Sequence, residues 1–440
     1  MRIRHALSRL SALTLVGLLG VALLGRGALA DGLVRDGMGA ISMGRGGTNL
    51  GFYDNAAIIS DNAAAMVNVA GNGLFDANAD TLITDLHYSN PLNSDVAAHT
   101  RPFVAPTLGY IRKSDDGDWA YGIGAFVPAG FGASYDMNSQ FAGPQVYKSM
   151  GGMAKILPAL SYRITDKLSI GGSFGVGISD VQLSAPYVVQ TGALAGAPTL
   201  IGLHAWGLAP TGSVGLQYFL TPDTVLGFNW QSRTTFDMRG GAGVNIFGLP
   251  NPPFPSPTYS HFDSKVHISW PSSIGFGVRH NLCPHRTISA EVLWYDWSQA
   301  FTQLGFVLQN PSNPGLAPFG PLRDALPLNW LNSVSLRTGY QWTPNDVDTY
   351  RTGYVYHASP TPNSTLNPLT DGVLVHTFSL GYSRKMQRCS LNAAYQFSFA
   401  PTRDVGASQI IGPGGSPGDF ANSTFKAQVH FLSLGFLVPF

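Results

Sequence analysis

The chain is 440 residues long, and charged side chains make up only 12% of it, about half the roughly 25% of an ordinary soluble domain. Hydrophobic residues reach 44% and the formal charge is +1, which excludes a disordered polyelectrolyte and a surface built chiefly for nucleic acid. The 52 Gly and 30 Pro stay below the roughly 25–30% of a low-complexity chain.

Arg2, Arg4 and Arg9 precede an apolar run from Leu10 to Leu24, and Ala28-Leu29-Ala30 follows. This layout predicts a secretory signal peptide over 1–30, cleaved after Ala30. The run is shorter than the roughly 20 residues a helix needs to span a bilayer. Its removal takes Arg2, Arg4, Arg9 and Arg26 and no acid, so the balance of 26 basic and 25 acidic residues turns negative. The rest of the chain holds no apolar stretch long enough for a transmembrane helix.

Residues 31–79 are rich in Gly, Ala and Asn. They include Gly44-Arg45-Gly46-Gly47 and Ser60-Asp61-Asn62-Ala63-Ala64-Ala65-Met66-Val67-Asn68-Val69-Ala70-Gly71. No strand alternation is visible here. The segment reads either as a periplasmic extension or as a plug whose small residues pack inside a wall.

Beyond it, polarity alternates with period two. Leu168, Ile170, Phe174 and Val176 alternate with Ser169, Gly171, Ser173 and Gly175; Val334, Leu336, Thr338 and Tyr340 alternate with Ser335, Arg337 and Gly339. This is strand periodicity. Strands are expected near 81–90, 102–112, 119–131, 147–164, 168–183, 205–220, 224–239, 259–280, 286–297, 329–342, 347–359, 374–384, 388–400 and 423–440. Short turns at 113–118, 165–167, 221–223, 281–285, 343–346 and 385–387 alternate with long loops near 91–101, 132–146, 184–204, 240–258, 298–328, 360–373 and 401–422. A Greek-key sandwich has no reason to obey that rule, whereas a barrel with tight periplasmic turns and long outer loops does. The last strand places Leu432, Leu434, Phe436, Val438 and Phe440 at every second position. Trp119, Tyr121, Trp294, Trp342, Tyr356 and Tyr382 fall near strand ends, where interfacial aromatic girdles sit. The predicted fold is all-β: a 14-stranded antiparallel transmembrane β-barrel over 80–440. Such a lumen is too wide for wall side chains to fill, so 31–79 is assigned as an N-terminal hatch.

The same residues carry a family resemblance. The pattern G-x-G-G…D-N-A-A-A-x-x-N-x-A-G resembles the hatch of the FadL/TodX family of outer-membrane hydrophobic-compound transporters. Tyr121-Gly122-Ile123-Gly124-Ala125-Phe126 leading into Gly130-Phe131-Gly132 fits the same family, as do Pro158 to Ile164 and Trp294-Tyr295-Asp296-Trp297-Ser298-Gln299. The resemblance covers the whole mature chain. It implies passive uptake of long-chain fatty acids or of aromatic and aliphatic hydrocarbons across the outer membrane of a Gram-negative bacterium. Two departures stand out. The family's N-P-A is replaced by Asn68-Val69-Ala70, without the fixed φ of Pro. Where fatty-acid-transporting members carry cations, Ile178-Ser179-Asp180-Val181 and Phe301-Thr302-Gln303-Leu304-Gly305 hold no Lys or Arg, which favours a neutral ligand.

Candidate site residues follow. Val188, Val189, Leu194, Leu200, Ile201 and Leu203 in one outer loop, and Ile246, Phe247, Leu249 and Phe254 in another, are expected to be exposed and to form a capture groove; the other reading is a cap of two loops packed on each other. Phe126, Pro128, Ala129 and Gly130 mark a kink or bulge in the third strand. In the resembled family an inward kink there opens the wall, so these residues are expected to frame a lateral exit. Asn62, Asn68, Val69 and Ala70 are the hatch positions. By parity Arg233, Arg279, Glu291, Arg337 and Arg351 face the lumen. Arg279, Glu291 and Arg337, on neighbouring strands, are expected to hold the hatch to the wall. No metal or cofactor site is expected.

Two competing functions remain, a general diffusion porin and, more remotely, an outer-membrane lipid hydrolase. G-x-S-x-G occurs at Gly171–Gly175 and Gly414–Gly418, in neither case with the strand-turn-helix setting of a nucleophile elbow, and no enzyme activity is expected. The expected partners are a hydrophobic small molecule, outer-membrane lipid and lipopolysaccharide, and the barrel-assembly machinery through Phe440. No nucleic acid is expected, and the protein is expected to be a monomer. Export permits a disulfide, but Cys283 and Cys389 lie four strands apart. At about 4.8 Å per strand this exceeds the roughly 7 Å bridging limit, so both are expected to be free.

Overall fold

The computed structural model describes residues 33–440 apart from positions 101, 252 and 371; the expected signal peptide lies outside the described residues. Period-two alternation produces fourteen antiparallel strands. They are β1 Gly73–Asn90, β2 Phe103–Lys113, β3 Trp119–Ser139, β4 Gly143–Thr165, β5 Leu168–Val188 and β6 Pro198–Thr221. Four strands then run in two pieces each: β7 Thr224–Gln231 and Thr234–Ile246, β8 Thr258–Trp270 and Ser273–Cys283, β9 Arg286–Tyr295 and Gln303–Gln309, and β10 Leu322–Pro327 and Ser333–Trp342. β11 Asp348–His357, β12 His376–Lys385, β13 Ser390–Phe399 and β14 Ser423–Pro439 complete the wall. β14 closes on β1 from Ser89↔Thr424 down to Leu74↔Pro439, which removes the free edges that would otherwise template aggregation.

The two faces differ as lipid and lumen require. Phe174, Leu434, Leu380 and Phe276 point outward and are 74%, 67%, 62% and 61% exposed. In water such a belt would be a liability; against acyl chains it is the required surface. Inward-facing Ser169, Ser173, Gln217, Ser335 and Gln396 are buried. In β5, Gly171-Gly172-Ser173-Phe174-Gly175 is ordinary strand, and the Ser173 hydroxyl is bonded to that of Ser213 at 2.8 Å.

Strand ends depart from the alternation pattern in a consistent direction. β1 begins at Gly73, not near 81. Its inward positions are Asp76, Asn78 and Asp80, residues that disguise a strand because they serve the hatch. The expected loop 132–146 is mostly strand, with only 140–142 between β3 and β4. The loops at 184–204 and 240–258 shrink to 189–197 and 247–257. Above the hydrocarbon belt the outward residues turn polar, as in Thr235, Asp237 and Arg239, so the apolar half of the pattern moves to the inner face.

The hatch sits inside the wall as two short helices, α1 Gly39–Gly44 and α2 Ile58–Asp61, and a 3-10 turn over Ala63–Asn68. Wall glycines make room for it. A Cβ at Gly353 would collide with the Gly46 amide, and one at Gly227 with the Leu50 carbonyl. A second segment also enters the lumen. Residues 358–375 (371 apart), between β11 and β12, are buried through Leu366, Leu369 and Val373. Ser149 Oγ donates to the Leu369 carbonyl and Thr365 Oγ1 to that of Leu328, both at 2.5 Å.

Cys283 and Cys389 are free thiols at the short-turn rim. Both should alkylate without prior reduction. In intact cells a 5 kDa polyethylene-glycol maleimide, too large to cross the outer membrane, should label neither until the membrane is permeabilised. Labelling of Cys283 in intact cells would reverse the assigned orientation.

Candidate functional site

The floor of the lumen is the hatch. Glu291 Oε1 accepts from the amides of Asn49 and Leu50 at 2.5 and 2.6 Å. Arg279 lies over the rings of Tyr53 and Phe52 at 4.8 and 5.8 Å. Arg337 donates to the Gly47 carbonyl at 3.4 Å and sits 3.5 Å from Asp36, which also meets His357 at 2.7 Å. All three expected lumen charges therefore touch the hatch. Arg351 is inward and buried as parity requires. Arg233 is not inward: it falls in the break between the two runs of β7, where alternation is lost, and donates from an exposed position to the Gln299 carbonyl.

Asn62 Nδ2 bridges the Leu50 and Leu216 carbonyls at 2.8 and 3.0 Å. Asn68 Nδ2 reaches Ser169 and Gln217 at 3.1 and 2.8 Å. Val69 is buried at φ −58°, ψ 147°, the backbone a Pro would impose. The turn is kept without the ring, because the Val69 carbonyl is held by Lys113 Nζ at 2.9 Å. Ala70 is exposed at the lower rim. Sequence reading missed Arg45, which is fully buried, paired with Asp54 at 2.7 Å and stacked 3.5 Å over Phe52.

The wall is broken at one height. β2 pairs with β1 from Phe103 to Arg112 but with β3 only from Leu108 to Lys113. Between Phe126 and Ala129, β3 gains one residue over β4, so the buried set passes from Ala120, Gly124 and Phe126 to Ala129, Tyr135 and Met137. Pro128 lies in this bulge and supplies no donor. Among the described residues, 103–107 thus have no ladder partner on the β3 side. On the β3 side of the break the hatch's leading segment supplies partners. Val34 pairs with Ala129, the Arg35 amide donates to the Pro128 carbonyl at 3.0 Å, and the Gly130 amide to that of Leu33 at 3.1 Å. Arg35 is anchored to Asp80 at 2.6 Å, and Asp80 also receives the Gly39 amide at 3.1 Å. Phe126 and Ala129 are buried, Pro128 half-buried and Gly130 exposed. Arg35 and Asp80 had no sequence signal, because the expected first strand began near 81 and left Asp80 outside it.

Above the hatch the lumen is apolar. Trp270, Trp297, Phe301 and Trp330 form a buried cluster with ring centres 4.8 to 5.7 Å apart. It grows from the Trp297-Ser298-Gln299 turn that interrupts β9. The expected groove residues do not stand on the outside. Val188, Val189, Ile201, Leu203, Ile246 and Phe254 are buried, and Leu194, Leu200, Phe247 and Leu249 are half-buried. Lengthened strands turn these side chains inward, where Val189, Ile201, Leu203, Ile246 and Phe254 join the same apolar core. Lys155, also missed, is a buried inward cation opposite Phe126, bonded to Gln231 at 3.2 Å. At the mouth, Asp419 accepts from the Tyr147 hydroxyl; burial pushes its carboxyl above the usual carboxylate range, and that bond offsets part of the rise.

Residues 22–436 match the family described as outer membrane protein transport protein (OMPP1/FadL/TodX). The chain belongs to this family. No curated protein matches it in sequence. Solved structures that share the fold include the P. putida toluene transporter TodX (TM-score 0.76, 19% identity, 92% of this chain and 99% of that one). A Pseudomonas aeruginosa FadL homologue (0.75, 16%, 93% and 100%) and the Ralstonia pickettii toluene transporter TbuX (0.70, 19%, 92% and 99%) are similar. The FadL/TodX family comprises outer-membrane channels for hydrophobic compounds, and neither it nor these neighbours are enzymes.

Glu291→Ala would strand two buried hatch amides at about 1–3 kcal/mol each. The variant should still form a heat-modifiable barrel on gels, while ion conductance in planar bilayers rises above wild type. Unchanged conductance would show that the hatch is held independently of Glu291.

Proposed function

We propose that this protein carries hydrophobic small molecules passively through an apolar lumen and releases them sideways into the membrane at the β2–β3 break. The observation that carries this reading is the broken ladder occupied by Leu33, Val34 and Arg35. The hatch blocks the axial route, and an apolar solute gains nothing from a wet one. A wall gap filled by a few backbone hydrogen bonds is the weakest barrier between the lumen and lipid. The candidate ligands are aromatic or aliphatic hydrocarbons and long-chain fatty acids. The buried aromatic cluster favours the first group, and solved relatives are named as toluene transporters and monoaromatic hydrocarbon channels. Uptake of this kind needs no cofactor and no bond chemistry. A general diffusion porin would keep an open polar lumen; here the hatch, residues 358–375 and apolar side chains occupy it.

The Val34–Ala129 pair allows a reversible test. Its flanking bonds run from residues 35 to 128 and 130 to 33, which makes it a non-hydrogen-bonded pair with Cα atoms about 4.5 Å apart, within disulfide reach. In a Cys283→Ser, Cys389→Ser background, Val34→Cys with Ala129→Cys should lose uptake of labelled toluene or oleate into cells when oxidised and regain it on reduction. Full uptake in the oxidised state would rule out release through this gap.

A further inference from the structure

The outer face carries a charge pattern that transport does not use. On the outward side of β7 to β10, Arg239 lies opposite Lys265, Lys265 opposite Val307, and Val307 opposite Arg323. These residues form one row across four strands, roughly 15 Å long at about 4.8 Å per strand. Arg239, Lys265 and Arg323 are all exposed, and among the described residues none of the three side chains has a carboxylate within 4.0 Å or a hydrogen-bond partner. The nearby acids are engaged elsewhere: Asp237 with His267 at 2.8 Å, Asp263 with Asn310 at 2.7 Å, and Asp324, on the inner face, with the Gln190 amide at 2.6 Å. Like charges directly opposite each other on a sheet are destabilising, so the Arg239–Lys265 pair marks a place where an outside anion would be welcome.

The height of the row says which anion. Trp206 on β6 is the next member of the row, directly opposite Arg239. It points outward and is 56% exposed, with Leu208 below it at 57%. An outward Trp above an apolar belt sits at the level of lipid headgroups. Arg239 is also far from the short-turn rim, roughly 35 Å above Thr224 for a strand tilted by about 45°. A cavity of about 880 Å³ reaches the row, and Arg239, Lys265 and Arg323 line it together with Asp237, Asp324 and the inward Met238 and Phe306. Gly305 lies beside them, and a Cβ there would meet nothing within 4 Å, which leaves a notch on the membrane side of the cations.

We infer that this row is a binding site for the phosphorylated headgroup of an outer-leaflet glycolipid. Arg239 and Lys265 take one phosphate and Arg323 a second, and the acyl chains run down the belt past Trp206 and Leu208. Arg supplies a fork of donors and Lys a point charge to phosphate oxygens. The assignment does not depend on the transport reading.

The test uses full-length protein, delipidated by detergent exchange, and native mass spectrometry titrated with diphosphoryl lipid A, with the same lipid stripped of its phosphates, and with inorganic phosphate. Wild type should hold diphosphoryl lipid A at least about tenfold more tightly than the R239Q/K265Q/R323Q variant. The stripped lipid should bind both equally and weakly, and millimolar inorganic phosphate should not displace the lipid. All three side chains are exposed, so the variant should keep its heat-modifiable migration. The control R286Q/R384Q/R388Q, at the opposite rim, should bind as wild type. Equal retention by wild type and the row variant, equal loss in the control, or displacement by inorganic phosphate would each overturn the assignment, the last reducing it to an adventitious ion only.

Discussion

In hydrocarbon every backbone donor and acceptor must find a partner inside the protein, and the rest of this structure depends on that constraint. Closure of β14 on β1 satisfies nearly the whole wall. At the Val127-Pro128 bulge it cannot, because the extra residue and the missing amide turn β3 away from β2. The hatch's own backbone then partners β3 there through residues 33 to 35. One local defect thus ties the first described residues of the chain to a site where the wall is not self-sufficient. A gap filled by a segment of a separate element is easier to open than a continuous ladder.

The hatch is held by side chains that would be costly on the lipid face of the wall. Glu291, Arg279 and Arg337 on the wall, and Asp76, Asn78 and Asp80 on β1, are inward and buried. Each meets hatch backbone or a hatch side chain. Removing one member leaves buried polar groups without partners, which costs more than the bond itself contributes. This explains how a segment made of short helices and loops stays packed in the lumen, and why its glycines face wall glycines such as Gly353.

Much of this was legible in order of residues. Alternation, short turns and the terminal Phe440 register yield the strand number and the two faces of the wall. A period of two with one apolar side also suits a soluble sandwich; the short–long rhythm of the connections decides for a barrel. The inward charges at 279, 291 and 337 could be placed by parity alone. Strand ends could not, because beyond the lipid the apolar side of the pattern moves inward. Residues such as Ile201, Leu203 and Ile246 therefore read as exposed loop but fold as lumen lining. Val69 shows the reverse case: the sequence lacks the Pro, yet tertiary contacts impose the same backbone.

By itself, then, the sequence determined a 14-stranded barrel and the two faces of its wall, since those follow from which residues tolerate lipid and from the connection lengths. Low charge reflects a belt that faces acyl chains, and high glycine reflects a wall that must admit a plug. Only the tertiary structure decided which residues meet. It brings Arg35 to Asp80 and Val34 to Ala129, folds 358–375 into the lumen, gathers three tryptophans around Phe301, and aligns Arg239, Lys265 and Arg323. These contacts depend on register across strands far apart in the chain, and register is set by the closed wall as a whole.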